Sequence, residues 1–314
     1  MRHRYRRRTV FLRAGITVAW SLIASGASAQ LPEFALENPA PGVYVHYGQQ
    51  AEMSRANFGD IANLGFVVGT RCVAVIDTGG TYAVGRALRQ AIRRVTAVPV
   101  CYVINTHGHP DHVFGNSAFA EDRPEFIGHA RLADALQRRG PNYLNALRRD
   151  LGDAADRSGF VLPTRSIAST DELDLGGRTL SLRAWKTAHT DTDLTVFDPL
   201  SQTLWLGDLL FVGHVPVVDG NLRGFLAAID ELKTLRASLA IPGHGRALAW
   251  PDAIAPQERY LRRLLGDVRA AIKAKRTLAD TLALVGSARE HWFLYDQFHR
   301  RNVTAAYAEL EWDD

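Results

Sequence analysis

Directly after an apolar run, Val98 to Ile104, the chain sets out Thr106-His107-Gly108-His109-Pro110-Asp111-His112, three imidazoles and a carboxylate within six residues. Imidazole nitrogen and carboxylate oxygen are the ligand types that suit Zn²⁺ and, less strongly, Fe and Mn. A strand that ends in such a Gly- and Pro-containing loop throws successive side chains in different directions. One short loop can therefore serve two neighbouring cations, but it cannot enclose them. A fold that uses this loop must bring further ligands back to the same strand end. The bland alternative, a solvated loop that happens to be His-rich, is uncommon because His and Asp rarely crowd together without a metal.

Three later positions meet that requirement, each behind a strand-like apolar run: His189 in Trp185-Lys186-Thr187-Ala188-His189, Asp208 in Leu204-Trp205-Leu206-Gly207-Asp208, and His244 in Ile241-Pro242-Gly243-His244-Gly245. Together His107, His109, Asp111, His112, His189, Asp208 and His244 would fill two four- or five-coordinate sites. Each would keep a position for water, which is what metal-assisted hydrolysis requires. Asp111 carries a second expectation, orienting the attacking water or passing a proton to the leaving group. Asp77, in Asp77-Thr78-Gly79, is expected to support the loop or a ligand imidazole from behind, or simply to form the turn before Gly79-Gly80.

At these residues the chain resembles the metallo-β-lactamase superfamily of hydrolases, in order from Asp77-Thr78-Gly79 through the His107 to His112 motif, His189 and Gly207-Asp208 to Pro242-Gly243-His244-Gly245. The resemblance implies an α/β fold, the αββα sandwich with ligands at the sheet edge. It also implies a division of labour, with His107, His109 and His189 on a first zinc, Asp111, His112 and His244 on a second, and Asp208 bridging. An Asp at 208 is similar to glyoxalase II and related dinuclear hydrolases, whereas the β-lactamases of this superfamily mostly carry Cys or Ser there. A His at 109 departs from the flavo-di-iron reductases, which carry Glu. Asp193-Leu194-Thr195-Val196, the stretch from Gly207 to Gly220, and His299-Arg300-Arg301-Asn302-Val303-Thr304 further resemble the quinoprotein relay system zinc metallohydrolases (first type). That subgroup implies an exported zinc hydrolase linked in function to a periplasmic quinoprotein dehydrogenase.

Residues 1–29 read as a secretory signal peptide. Six arginines, at positions 2, 4, 6, 7, 8 and 13, precede an apolar stretch from Ala14 to Ala24, and Ala27-Ser28-Ala29 offers a cleavage site. The stretch falls short of the roughly 20 residues that a spanning helix needs. Arg7-Arg8 also suits a twin-arginine signal, a route for folded, metal-loaded proteins. The expected location is the periplasm, with no membrane attachment after cleavage. Without the leader's six arginines the formal charge of +4 becomes −2. No clustered basic surface then remains for nucleic acid, and the expected partner is a small-molecule substrate. The two cysteines, Cys72 and Cys101, are too few for a disulfide scaffold. A bridge across adjacent strands is usually strained, so two buried free thiols are the expectation and a disulfide the alternative.

Residues 30–250 are read as the metallo-β-lactamase-fold domain and 251–314 as a mainly helical extension packed on it. Strands are expected over 42–47, 63–68, 72–77, 98–105, 178–185, 194–197, 203–206 and 239–242. Helices are expected over 83–94, over 130–139 with a stop at Gly140-Pro141, and over 222–237. The polar stretch 145–170 is read as the passage between two halves. Of the remaining histidines, His46 is read as solvated on an edge strand and His129 as locally explained at a helix opening. His214 is read as a substrate contact or a loop residue near the metals, and His291 and His299 as part of an aromatic C-terminal helix. Phe114 and Asn116 suit either a pocket mouth or ordinary packing.

The leading function is an exported dinuclear zinc hydrolase acting on an ester, thioester, lactone or amide. The same ligands would accept Fe or Mn. Alternatives are a β-lactamase, an iron-dependent sulfur- or persulfide-handling enzyme on the same fold, and a non-catalytic metal-binding accessory protein. The last is disfavoured because a storage site needs no open positions.

Overall fold

Along Val73-Ala74-Val75-Ile76 alternate side chains leave the strand on opposite faces, and both faces are buried: Ala74 and Ile76 between two sheets, Val73 and Val75 beneath a helix. The computed structural model, which describes residues 34–284 and 292–312, repeats this pattern throughout. The leader over 1–29 and His291 lie outside the described residues. The first sheet runs β1 (Glu37–Ala40), β2 (Val43–His46), β3 (Leu64–Val68), β4 (Val73–Ile76), β5 (Val100–Ile104), β6 (Glu125–His129) and β7 (Arg165–Ile167) in that spatial order. It is antiparallel from β1 to β4 and parallel from β4 to β7. The second sheet runs from β8 (Thr170–Asp174) through β9 (Thr179–Ala184), β10 (Leu194–Asp198), β11 (Thr203–Phe211) and β12 (Leu239–His244) to β13 (Leu248–Ala249). Its β11–β12 pair is parallel and the other pairs are antiparallel.

Each parallel step requires a crossover, and helices supply it. Between β4 and β5 lies α1 (Tyr82–Val95). The Thr81 hydroxyl caps its start by accepting the Val84 N–H, and Val84, Leu88 and Ile92 are buried against the first sheet. Burial of such side chains is worth about 1.5–3 kcal/mol each. After β5 comes the short α2 (Pro110–Val113), and α3 (Leu132–Leu151) joins β6 to β7. On the other side α4 (Leu222–Leu232) joins β11 to β12, α5 (Ala255–Lys273), α6 (Leu278–Leu284) and α7 (Tyr295–Leu310) follow β13, and Phe225, Ile229, Leu261, Leu264, Val303 and Ala306 cover the outer face of the second sheet. The result is an αββα sandwich with C-terminal helices. No helix among the described residues is long and apolar enough to cross a membrane.

The structure corrects several expectations. The helix expected to stop at Gly140-Pro141 continues as α3 to Leu151. An interior proline costs about 3 kcal/mol, but Leu132 and Leu136 before it and Leu147 and Leu151 after it bury in one cluster with Val113 and Phe114, which outweighs that cost. The passage between the sheets is shorter than 145–170. It narrows to Ala168-Ser169, because β7 and β8, both unread in the sequence, belong to different sheets. β1, β6 and β13 also lack a clear sequence signal. His46 is buried rather than solvated: β1 covers the edge, the ring stacks on Phe34 at 3.6 Å, and its nitrogens meet Ala35 O and Asp60, each at 2.9 Å. Cys72 and Cys101 form a disulfide, against the expectation of free thiols. β4 and β5 are parallel neighbours whose register shifts after Val73, and the two half-buried residues stand with Cα atoms 5.4 Å apart, within the range a disulfide spans.

Candidate metal centre

Strand ends decide where the polar side chains go. The segment after β5 delivers His107 and His109. Pro110 then opens α2 with its fixed φ, and that single turn carries Asp111 and His112. His189 lies between β9 and β10, Asp208 within β11, and His244 at the end of β12. A register irregularity at Gly207, where φ is +50°, marks the strand just before Asp208. On the neighbouring strand a Cβ at Gly243 would stand 1.9 Å from Asp208 Oδ1, so only glycine lets that carboxylate pass.

The seven expected ligands come together as two groups sharing Asp208. In the first, His109 Nδ1 stands 3.1 Å from His107 Nε2 and 3.0 Å from His189 Nε2, and Asp208 Oδ2 lies 3.7 and 3.3 Å from the latter two. In the second, Asp111 Oδ2 stands 3.5 Å from His112 Nε2 and 3.4 Å from His244 Nε2, while Asp208 Oδ1 lies 3.3 and 3.4 Å from the same nitrogens. Zinc–nitrogen and zinc–oxygen bonds of about 2.0–2.2 Å in a tetrahedron place ligand atoms about 3.3–3.6 Å apart. The observed separations bracket that value.

The outward nitrogen of every imidazole is also engaged. His112 Nδ1 meets Asp77 Oδ2 at 2.8 Å, His189 Nδ1 meets Val217 O at 2.7 Å, and His244 Nδ1 meets Ile61 O at 2.9 Å. His109 Nε2 meets Asp219 Oδ2 at 3.2 Å, and His107 Nδ1 meets Thr106 Oγ1 at 3.1 Å. Carboxylate and carbonyl oxygens only accept, and the Thr106 hydroxyl gives its own proton to Asp77, so each outer nitrogen carries a ring proton and the inner nitrogen is the one left to face a cation. His112 Nε2 and Asp208 Oδ1 are buried without a hydrogen-bond partner, at about 1–3 kcal/mol each if nothing compensates. A cation in the second group would satisfy both atoms, and the donor set fits.

The electrostatics divide the two groups. Burial pulls His107 and His189 down, with neighbouring imidazoles adding to it, His189 to about 4. Burial also opposes protonation of His112 and His244, yet the carboxylates of Asp111 and Asp208 overcome it and raise both, His244 to about 9. Those imidazoles in turn hold Asp111 and Asp208 well below the usual carboxylate range despite burial. A cation therefore meets no competing proton at His107 and His189 near neutral pH, but would have to displace protons from His112 and His244.

Behind the ligands, Asp77 takes a φ of +53°, which Asp tolerates, and accepts both the N–H (2.8 Å) and the hydroxyl (2.7 Å) of Thr106. Asn63 ties down the His244 turn through Pro242 O and Gly245 O. Asp193, pushed up to about 7 by burial, accepts the Thr190 N–H and hydroxyl and closes the turn after His189. His214 is buried, its ring 5.1 Å from that of His244 and 5.5 Å from that of Phe298. Burial pulls it down to about 4. Phe114 and Asn116 are fully buried packing residues, the latter bonded to Thr78 and Asn105. Asp219, Asn63 and the Val217 and Ile61 carbonyls have no sequence signal of this role. Asp219 sits in an ordinary Asp-Gly turn, 110 positions from His109, and also binds Arg139 at 2.6 Å.

Among known proteins, a linear primary-alkylsulfatase of a Pseudomonas species is 22% identical over 224 residues, 60% of this chain and 42% of its own length. A metallo-β-lactamase structure from Pontibacter korlensis is similar with TM-score 0.60 and 17% identity, covering 73% of this chain and 98% of that one. A double mutant of the sec-alkyl sulfatase PisA1 is similar with TM-score 0.67 and 16% identity, covering 87% and 49%. The chain thus spans less than half the length of the two alkylsulfatases it matches. The family model of the metallo-β-lactamase superfamily matches residues 58–244, more than half of the chain and all seven clustered donors, and the chain belongs to that superfamily.

Proposed function

We propose that this chain is a dinuclear metal-dependent hydrolase, with zinc the metal its donors suit best, acting on a small molecule with an ester-type bond. The observation that carries this reading is the pair of donor groups, His107 with His109 and His189 and Asp111 with His112 and His244, with Asp208 standing 3.3–3.7 Å from ring nitrogens of both. Bound there, two cations supply a water acidic enough to attack near neutral pH and offset the negative charge that builds on the substrate oxygen. The chain's own residues do the rest. Asp208 holds the two groups side by side through its two oxygens. Asp77, Asp219 and the Val217 and Ile61 carbonyls keep the ring protons outward. Asp111, held ionised by His112 and His244, is a proton acceptor rather than a donor near neutral pH, and so orients the attacking water. A persulfide-type reaction at a single iron needs only one group, and the completeness of both speaks against it.

The alkylsulfatase relatives add sulfate esters to the substrate classes worth testing, beside carboxylic esters, thioesters, lactones and β-lactams. Export to the periplasm is supported by the arginine-rich leader with its Ala27-Ser28-Ala29 site and by the Cys72–Cys101 bond, since disulfides persist in oxidising compartments. The resemblance of Asp193 to Val196, Gly207 to Gly220 and His299 to Thr304 supports a link to a quinoprotein dehydrogenase. The test is elemental analysis of protein recovered from the periplasm, then a hydrolysis panel before and after metal stripping. Two metals per chain and a turnover lost on stripping and restored by zinc are expected. A chain that takes up no metal, or a turnover indifferent to chelation, overturns the proposal.

A further inference from the structure

The C-terminal helices lie beyond the family match and contribute none of the seven donors. One residue of α7 nevertheless reaches the site's scaffold. Asn302 is fully buried, and its amide is used on both sides. Its oxygen accepts the Val218 N–H at 3.0 Å, and its nitrogen donates to Pro216 O at 2.6 Å and to Tyr260 Oη at 2.9 Å. Tyr260 Oη is itself held by His299 Nδ1, one turn earlier on α7, at 2.9 Å.

The loop so gripped clasps the first group. Val217 O accepts the His189 Nδ1 proton at 2.7 Å, the Asp219 N–H donates to the His189 carbonyl at 3.1 Å, and the Asp219 carboxylate meets His109 Nε2 at 3.2 Å. Two of its three imidazoles thus take their orientation from a backbone segment fixed by a residue 84 to 86 positions later. The part of the loop nearer His244 has a separate anchor, the backbone bridge of Phe293 with Gly213 and Val215.

We propose that Asn302 is a positioning residue for the first metal group, an inference that rests on the reading of this site as a two-cation centre. Leucine at 302 keeps the bulk but leaves Val218 N–H and Pro216 O unpaired, releasing the clasp on His189 and His109. Loss of such an outer partner typically weakens metal binding about 10–100-fold.

The experiment titrates zinc alone into the full chain in two single-group backgrounds, H244A to isolate the first group and H109A to isolate the second. N302L should weaken zinc roughly 10–100-fold in the H244A background. In the H109A background it should change affinity by no more than about twofold, the scatter between independent sites. L310A, which truncates a buried side chain eight positions along α7, should lower the melting temperature without that asymmetry. If N302L does not fold, N302S, which keeps a hydroxyl for the Val218 N–H, should show the asymmetry in smaller measure. Equal loss in both backgrounds, or melting loss with zinc affinity unchanged, overturns the proposal. A wild-type chain that binds no zinc overturns the two-cation reading itself.

Discussion

Asp77→Asn tests whether one buried carboxylate sets a ring proton and, through it, the affinity of a metal group. Asn has the shape of Asp and tolerates the same positive φ of +53°, so the backbone carries no new strain. Asp77 Oδ1 accepts the Thr106 N–H, while Oδ2 accepts from His112 Nδ1 and the Thr106 hydroxyl, all within 2.7–2.8 Å and buried. With the remaining oxygen kept on Thr106 N–H, the new amide NH₂ faces His112 Nδ1. The imidazole then carries its proton on Nε2, pointing between Asp111 and Asp208 at 3.5 and 3.3 Å. Restoring the lone pair for a cation means forgoing a hydrogen bond to a charged group, about 1.5–3 kcal/mol. At 1.4 kcal/mol per tenfold this is roughly 10–100-fold in affinity. Zinc competition against a chelator in the H109A background should show that loss, and the H244A background a smaller one, because the Thr106 hydroxyl, facing an amide NH₂, turns its proton towards His107 Nδ1. Wild-type affinity at the second group, or weakening confined to the first, would refute the tautomer argument.

Three further outcomes follow from the same geometry. Gly243→Ala places a Cβ 1.9 Å from Asp208 Oδ1, so the shared carboxylate must move; metal content should drop below two with the circular dichroism spectrum unchanged, and full metal loading would contradict the close approach. In the metal-free chain His244 is raised to about 9, so its contribution to stability is complete below its unfolded value of about 6.5 and is lost as pH climbs towards 9. Melting temperature without metal should fall across that window and zinc should flatten the fall; a rise would count against the carboxylate–imidazole pairing. Opening the Cys72–Cys101 bond, 29 positions apart, should cost about 3–4 kcal/mol by the chain-entropy relation, read as a lower denaturation midpoint of C72S/C101S with metal content unchanged.

The seven donors were legible because each is a chemically distinctive residue at the end of an apolar run, and side-chain type with strand position is local information. The αββα sandwich was legible through the family resemblance that those motifs carry. Other features were not, for reasons that can be named. At Pro141 a local stop signal lost to leucines on either side burying in one cluster. His46 became buried because Glu37–Ala40, a polar segment with weak strand character, covered its strand. Cys72 and Cys101 met through a register shift that no spacing rule encodes.

Residue chemistry therefore marked on its own which side chains gather into the two donor groups and, through apolar periodicity, most strands and helices that carry them. Only the tertiary structure decided how those atoms are held. Three of the ring protons meet the carbonyls of Val217 and Ile61 and an Asp219 in a common turn, and Asn302 on α7 bonds the main chain on either side of Val217. A main-chain carbonyl has no residue signature, and contacts spanning 28 to 183 positions arise only when the whole chain closes around its core, so the outer support of the site is a property of the packed fold.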